Sequence, residues 1–304
     1  MSRFRMLSDS QWALMEELLP ARSGRAGRPF ADARLMVEGI IYRYRCGIAW
    51  RDLPPVFGPW QTVWTWHRRL AGEGIWDTVL GILLGAAEAA GLVDWVVSVD
   101  STIAWAHQHA TNVSRRTGAG SNYTNPCLEP PDHAIGRSRG GLSTKVHQLV
   151  DGHGRPLVVL LTPGQAGDSP MFLPLMGQLR INSPGRGRPR TRPDRVRADK
   201  AYSSRAIRAH LRERGIGAVI AEPRDQAGHR KRRGTRGGRP PAFDRDDYRG
   251  RNVVERSFCD LEQWRGLATR YDKLAITYRA AVAVHMVFVW TKDLAPLRSG
   301  GNHV

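Results

Sequence analysis

Three cysteines in 304 residues, Cys46, Cys127 and Cys259, are too few and too scattered for a disulfide framework, and their spacing is not that of a zinc site. Acid is scarce too: 28 Asp and Glu stand against 46 Lys and Arg, a formal net charge of +18. So large an excess repels itself in a compact chain unless a polyanion offsets it, which puts nucleic acid ahead of an anionic membrane surface as partner. Two further absences weaken the membrane alternative. The N-terminus, MSRFRMLSDSQW, has no apolar signal core, so the expected location is cytoplasmic and nucleoid-associated. The longest apolar stretch, AAVAVHMVFVW from Ala280 to Trp290, is too short to span a bilayer and contains His285. No Walker loop, dinucleotide fingerprint or nucleophilic Ser or Cys arrangement competes for the chemistry.

What is present divides near residue 92. Ser8 with Gln11 forms a capping-box signature, and Trp12, Met15, Leu18 and Leu19 recur at helical spacing until Pro20. A basic Gly/Pro linker at 21–29 leads to a second amphipathic helix, ADARLMVEGIIYRYRC, stopped by Gly47, and a third follows from Trp60. Arg43, Arg45, His67, Arg68 and Arg69 are expected on the polar sides of a helix-turn-helix-type module over residues 1–92; the rival is an ordinary helical bundle packed on the next domain. Trp50, Trp60, Trp64 and Trp66 read as core rather than as a stacking platform.

A small-residue helix, TVLGILLGAAEAAG, leads into residues 93–295, where strand patterns enter. WVVSVD reads as a strand, 107–140 as a mostly irregular loop, and 143–150 with 155–162 as a hairpin about Asp-Gly-His-Gly. His107 and His109 lie in that loop, where solvated or phosphate-facing roles outweigh metal ligation. Asp168 opens a helix; RVRAD, SSRAIRAHLRERG and GAVIAEP form a β-α-β unit; basic loops are expected at about 182–195 and 225–245. Last comes YRGRNVVERSFCDLEQWR, Tyr248 to Arg265, read as one helix with Val254, Phe258 and Leu261 on its apolar stripe and Arg251, Glu255 and Glu262 on the next. This element order is that of an RNase H-like mixed α/β sheet flanked by helices, in which the first strand neighbours the one after the first helix. Asp100 and Asp199, each at the end of a strand-like run, are then brought together and Glu255 is delivered by the helix. Hard oxygen ligands of this kind suit Mg²⁺ or Mn²⁺. Two such ions, roughly 3.5–4 Å apart, steady the entering and leaving oxygens of a phosphodiester displacement.

The stretches WVVSVDSTIAWAHQHA, GRSRGGLSTKVHQLVDGHGRPL, TPGQAGDSP, ADKAYSSRAIR, EPRDQ, GRPPAF and RNVVERSF...QWRGLATRYDK occur in an order that resembles the DDE transposases of bacterial insertion sequences, specifically the insertion sequence five family, over essentially the whole chain. The resemblance implies Asp100, Asp199 and Glu255 as catalytic, metal-holding triad, and cutting and joining of double-stranded DNA at terminal inverted repeats and a target by a homo-oligomer, expected to be a dimer. Tyr248 and Arg251 match the family's C-terminal signature, and the DNA-contact candidates are these two with Arg137, Arg139, Lys145, Lys200 and Arg265. The signature ends in lysine where this chain has Glu262, about 10 Å along the helix from Glu255 and within about 20° of its azimuth. That departure raises a second reading, a catalytically weakened copy that represses its own element by binding DNA.

Overall fold

The computed structural model describes residues 4–20, 32–112, 129–182 and 187–299; the linker at 21–29 lies outside them, as do parts of the loops expected at 107–140 and 182–195. Ser8 caps α1 (Asp9–Ala13) through a complete capping box with Gln11, but the helix stops after five residues and a 3-10 turn carries Glu16–Leu18. Asp32 accepts from the amides of Arg34 and Leu35 to start α2 (Ala33–Cys46), which Gly47 closes at φ +68°. Helices α3 (Trp60–Gly72) and α4 (Ile75–Ala89) follow.

The sheet is organised about β1 (Val96–Ala106), eleven residues long, followed by a short α5 (Gln108–Thr111). A hairpin strand β2 (Gly136–Ser138) leads into β3 (Gly141–Val150), which runs antiparallel to β1 and carries β4 (Pro156–Pro163) on its other edge. After α6 (Phe172–Gln178), β5 (Arg195–Ala198) pairs with β1 in parallel, and α7 (Arg205–Glu213) returns the chain to β6 (Gly217–Ile220), parallel to β5. The resulting order β4-β3-β1-β5-β6, antiparallel on one side of β1 and parallel on the other, is RNase H-like, as expected. Val97 and Val99 of β1, Val196 of β5 and Val219 and Ile220 of β6 are buried, whereas the arginines of β5 alternate with its buried residues and keep one face open.

Residues 107–140, expected to be mostly irregular, include the short α5 and strand β2 among those described. Two local expectations need correction. The basic 225–245 segment is not a loop: Arg224–Arg232 form α8 and a 3-10 turn follows at Gly234–Gly237. Asp225 in the first turn and His229, Arg230, Lys231 and Arg232 in the last match the helix dipole, and an Arg230–Glu222 ion pair anchors it. The single helix expected from Tyr248 to Arg265 is divided into α9 (Arg245–Arg249), α10 (Asn252–Glu262) and α11 (Arg265–Ala268). The break is at Gly250, where an added Cβ would lie 2.5 Å from the Arg197 guanidinium carbon, while Asp247 ties α9 to β5 by accepting from Arg195 and Arg197 at 2.7 Å each.

A short β7 (Thr269–Arg270) pairs with the end of β1, and α12 (Ala275–Ser299) completes the fold. This helix is long and apolar enough to cross a membrane, yet 72% of its apolar window is buried inside the protein, with Ala281, Val282, Met286 and Trp290 among its inward residues. It packs on α3, α4 and β4, so one hydrophobic core runs from the N-terminal helices into the sheet. Polar links reinforce the join. Tyr44 Oη lies 2.9 Å from His67 Nε2 and donates to Asp272 at 3.0 Å, and Arg43 approaches the same carboxylate at 3.6 Å. Arg43 and His67 are therefore buried, not on the polar face expected for them. Trp66 is core, whereas Trp50, Trp60 and Trp64 are half-buried.

Candidate active site

The register of β1 on β5 sets the first two acids. Val99 stands opposite Ala198, so Asp100 and Asp199 leave neighbouring parallel strands side by side. Asp100 remains within β1, opposite Gln148 of β3, while Asp199 starts a 3-10 turn by accepting from the Ala201 amide at 2.7 Å. Helix α10 lies across β1 and β3 on Val254, Phe258 and Leu261, all buried, and Ser257 bonds Gln148 at 3.2 Å. That docking turns Arg251 and Glu255 toward Asp100. Arg251 Nη1 donates to Asp100 Oδ2 at 2.8 Å and Nη2 to Glu255 Oε1 at 2.5 Å, so one guanidinium holds two of the three expected acids.

The electrostatics are those of crowded carboxylates. Burial raises the Asp100 carboxyl above its ordinary value; Asp199 and Asp168 push the same way, and the Ser101 amide and Arg251 oppose them. Arg251 is held more firmly protonated than usual, because Asp100 and Glu255 outweigh the penalty of its burial. Tyr202 lies beneath, wholly buried with no hydrogen-bond partner for its hydroxyl, and burial together with the fields of Asp100, Asp168 and Asp199 keeps it protonated.

Asp168 is the residue that sequence reading missed as part of the site. Its Oδ1 accepts from Ser101 Oγ at 2.7 Å and from Lys145 Nζ at 2.9 Å, and Lys145 also donates to the Ala166 carbonyl at 2.7 Å. His147, opposite Ser101 in the sheet, brings Nδ1 to 3.9 Å from the same oxygen; burial lowers its pKa to about 4, so it is neutral. Asp168 thus pins the residue next to Asp100. The motif TPGQAGDSP carries it, but its partners lie 23 and 67 positions away, beyond any local spacing rule.

The remaining candidates separate. Lys145 is mostly buried on Asp168, whereas Arg137 and Arg139 are exposed at the β2–β3 hairpin. Lys200 is exposed beside Asp199 at the mouth of a cleft of about 830 Å³. Arg265 is exposed at the start of α11, its Cβ against Gly47 at the end of α2. Tyr248 lies on α9 rather than on the Glu255 helix, its ring 5.9 Å from the Arg251 guanidinium and 5.1 Å from Phe243. Glu262 accepts from Thr102 Oγ1 at 2.8 Å and so faces β1 two residues beyond Asp100. His107 stacks between His109 and Tyr271, both at 4.8 Å.

Among the described residues no group of three or more His, Cys, Asp or Glu is close enough to hold a metal ion as the side chains stand. The donor set nevertheless fits one. Asp100 and Glu255 already converge on a single cationic group, Arg251, and Asp199 is near enough to act on Asp100. All three are the hard oxygen donors that Mg²⁺ and Mn²⁺ prefer.

Residues 91–290 match the family described as "Transposase DDE domain", and residues 7–80 match "Putative transposase of IS4/5 family". Among similar proteins, the "Putative transposase for insertion sequence element IS6501" of Brucella ovis is 30% identical over 50% of this chain and 100% of its own length. The "Putative transposase for insertion sequence element IS402" of Burkholderia cepacia is 33% identical over 53% of this chain, which spans 64% of that protein. An uncharacterized protein, y4sN, of Sinorhizobium fredii is 31% identical over 37% of this chain and 86% of its own. A Mos1 transposase paired-end complex aligns over 95% of this chain and 74% of its own at 12% identity and a TM-score of 0.25, too loose a superposition to support any statement about this chain.

Proposed function

Because the chain belongs to the DDE transposases of bacterial insertion sequences, we propose that it cuts and joins DNA at the terminal inverted repeats of its element, using Asp100, Asp199 and Glu255 as the catalytic and metal-holding acids. The observation that carries this reading is the register Val99 opposite Ala198, with α10 laid across the same strands. When bound, two Mg²⁺ or Mn²⁺ ions would polarise the scissile phosphate and activate the attacking water or hydroxyl. The protein's own groups do the rest. Arg251 offsets the charge of Asp100 and Glu255, which lets an anionic phosphate approach; Asp168, itself held by Lys145, fixes the Ser101 hydroxyl; Arg137, Arg139, Lys200 and Arg265 are exposed for backbone phosphates, contacts that position DNA without reading its sequence. Base readout would come from residues 1–92, and the active species would be a dimer on double-stranded DNA.

The test is a labelled duplex carrying one end of the element, incubated with Mg²⁺ or with chelator. Metal-dependent nicking at the repeat boundary, lost in each of Asp100→Ala, Asp199→Ala and Glu255→Ala with DNA binding retained or tightened, is the expected result. Near wild-type cutting by any one variant removes that residue from the triad. Tight binding without cutting by the natural chain would favour the repressor reading, although the Thr102 bond gives Glu262 a place in the site that does not require inactivity.

A further inference from the structure

Among the described residues, a concentration of unneutralised positive charge lies away from the acids, between α7 and α8. A cleft of about 810 Å³ there is lined by Arg205, Arg208 and Arg212 on α7, Arg230 on α8, and Arg233 and Arg239 beyond it. One acid, Glu222, lines the wall, and Arg230 holds it in an ion pair. Arg208 is committed to the interior, donating to Ser203 Oγ and the Ile220 carbonyl at 2.9 Å each. Among the described residues, Arg205, Arg212, Arg233 and Arg239 have no acid within ion-pair distance. Two like-charged walls facing one another repel until an anion enters.

The arrangement also says which anion. Arg205, Arg208 and Arg212 stand at i, i+3 and i+7 on one face of α7. They extend about 10 Å along the axis, and with Arg208 turned inward the outer two, Arg205 and Arg212, are far enough apart to meet more than one phosphate of a strand. The arginines come from successive turns of α7 and from the segments at and beyond α8, a spread that suits a chain of phosphates better than a single one. The cleft is tied to the acid site. Glu222 lines both this cleft and the one that holds Asp199 and Lys200, and Gln226 of α8 donates to the Ser203 carbonyl at 2.6 Å, fixing α8 to the turn that follows Asp199.

We propose that this arginine cleft binds the sugar-phosphate backbone of one DNA strand as it leaves the acid site past Asp199. The inference rests on the reading of DNA as substrate. The test compares the natural full-length chain with the triple variant Arg212→Gln, Arg233→Gln, Arg239→Gln, and with a control in which Arg180, Lys273 and Lys292, exposed cations outside the cleft, become Gln. Binding of an end duplex extended by flanking DNA is measured by fluorescence anisotropy across a salt series, and thermal melting verifies folding. The slope of log affinity against log salt is expected to fall by about 0.9 for each phosphate that is no longer neutralised, close to 2.7 for three, with affinity at physiological salt down roughly ten- to hundredfold; the control should keep the wild-type slope. A cleft variant equal to wild type, or a control that falls as far, overturns the inference alone. A natural chain that ignores the duplex overturns the reading of function and this inference with it.

Discussion

Asp168→Asn tests whether the Asp168 cluster holds the site in shape, because the amide keeps an acceptor oxygen for Ser101 and removes only the charge. Lys145 Nζ lies 2.9 Å from Asp168 Oδ1, with side chains 13% and 27% exposed. At an effective dielectric of about 20 the gross attraction over that distance is about 6 kcal/mol, of which desolvation and competition from water leave a net of about 1–3 kcal/mol. Losing the carboxylate leaves the Lys145 ammonium with the Ala166 carbonyl as its remaining partner and weakens the bond to Ser101 Oγ. Relief of repulsion with Asp100 offsets part of the loss. The expected outcome is a destabilisation of about 1–3 kcal/mol in urea unfolding and a cleavage rate at saturating DNA reduced roughly tenfold, with DNA affinity unchanged. Asp168→Ala should be worse on both counts. In a double-mutant cycle with Lys145→Met the two losses should overlap by about 1 kcal/mol or more. Asp168→Asn with wild-type stability and rate, and additive losses in the cycle, would refute the assignment.

Other consequences follow from the same geometry. Glu262→Lys gives up the bond to Thr102 but changes the charge beside the site by two units; tighter binding to element ends, about tenfold, is expected in a titration at one salt concentration, and unchanged binding would mean this position does not face a phosphate. Arg251→Gln leaves Asp100 and Glu255 unpaired, so Mg²⁺ added without DNA should raise its melting temperature more than that of the natural chain, for which the guanidinium competes; equal shifts would remove that competition from the account. His67 is buried with its pKa lowered to about 4 from 6.5, so the unfolded chain binds the extra proton first as pH falls. The sign is that stability declines as pH drops from above 6.5 toward 4, by up to about 3 kcal/mol. Unfolding midpoints across that range should flatten in His67→Gln, and an unaltered profile would show that the imidazole is not the group responsible.

Periodicity sufficed for much of the chain, because it depends on neighbours within a turn or a pleat. Val254, Phe258 and Leu261 bury as one stripe wherever their helix lands, and Val97, Val99, Val196 and Ala198, the apolar residues ahead of Asp100 and Asp199, are buried strand positions. The two strands and the helix therefore put the three acids on the same part of the sheet before any contact is known. The excess of arginine was equally legible, but its division between duties was not. Lys145 and Arg43 look from sequence like free cations and are committed to Asp168 and to the Tyr44–Asp272 cluster, since burial of a charge is decided by partners far along the chain. The same holds for Gly250, which lies between α9 and α10 with the Arg197 guanidinium packed against it, and for the N-terminal helices, whose apolar faces find α12 rather than one another alone. Tertiary structure likewise joined Asp168 to Ser101 across 67 positions and aligned the arginines of α7 with those beyond α8. Neither pairing repeats at any helical or strand period, so only the folded chain could bring them together.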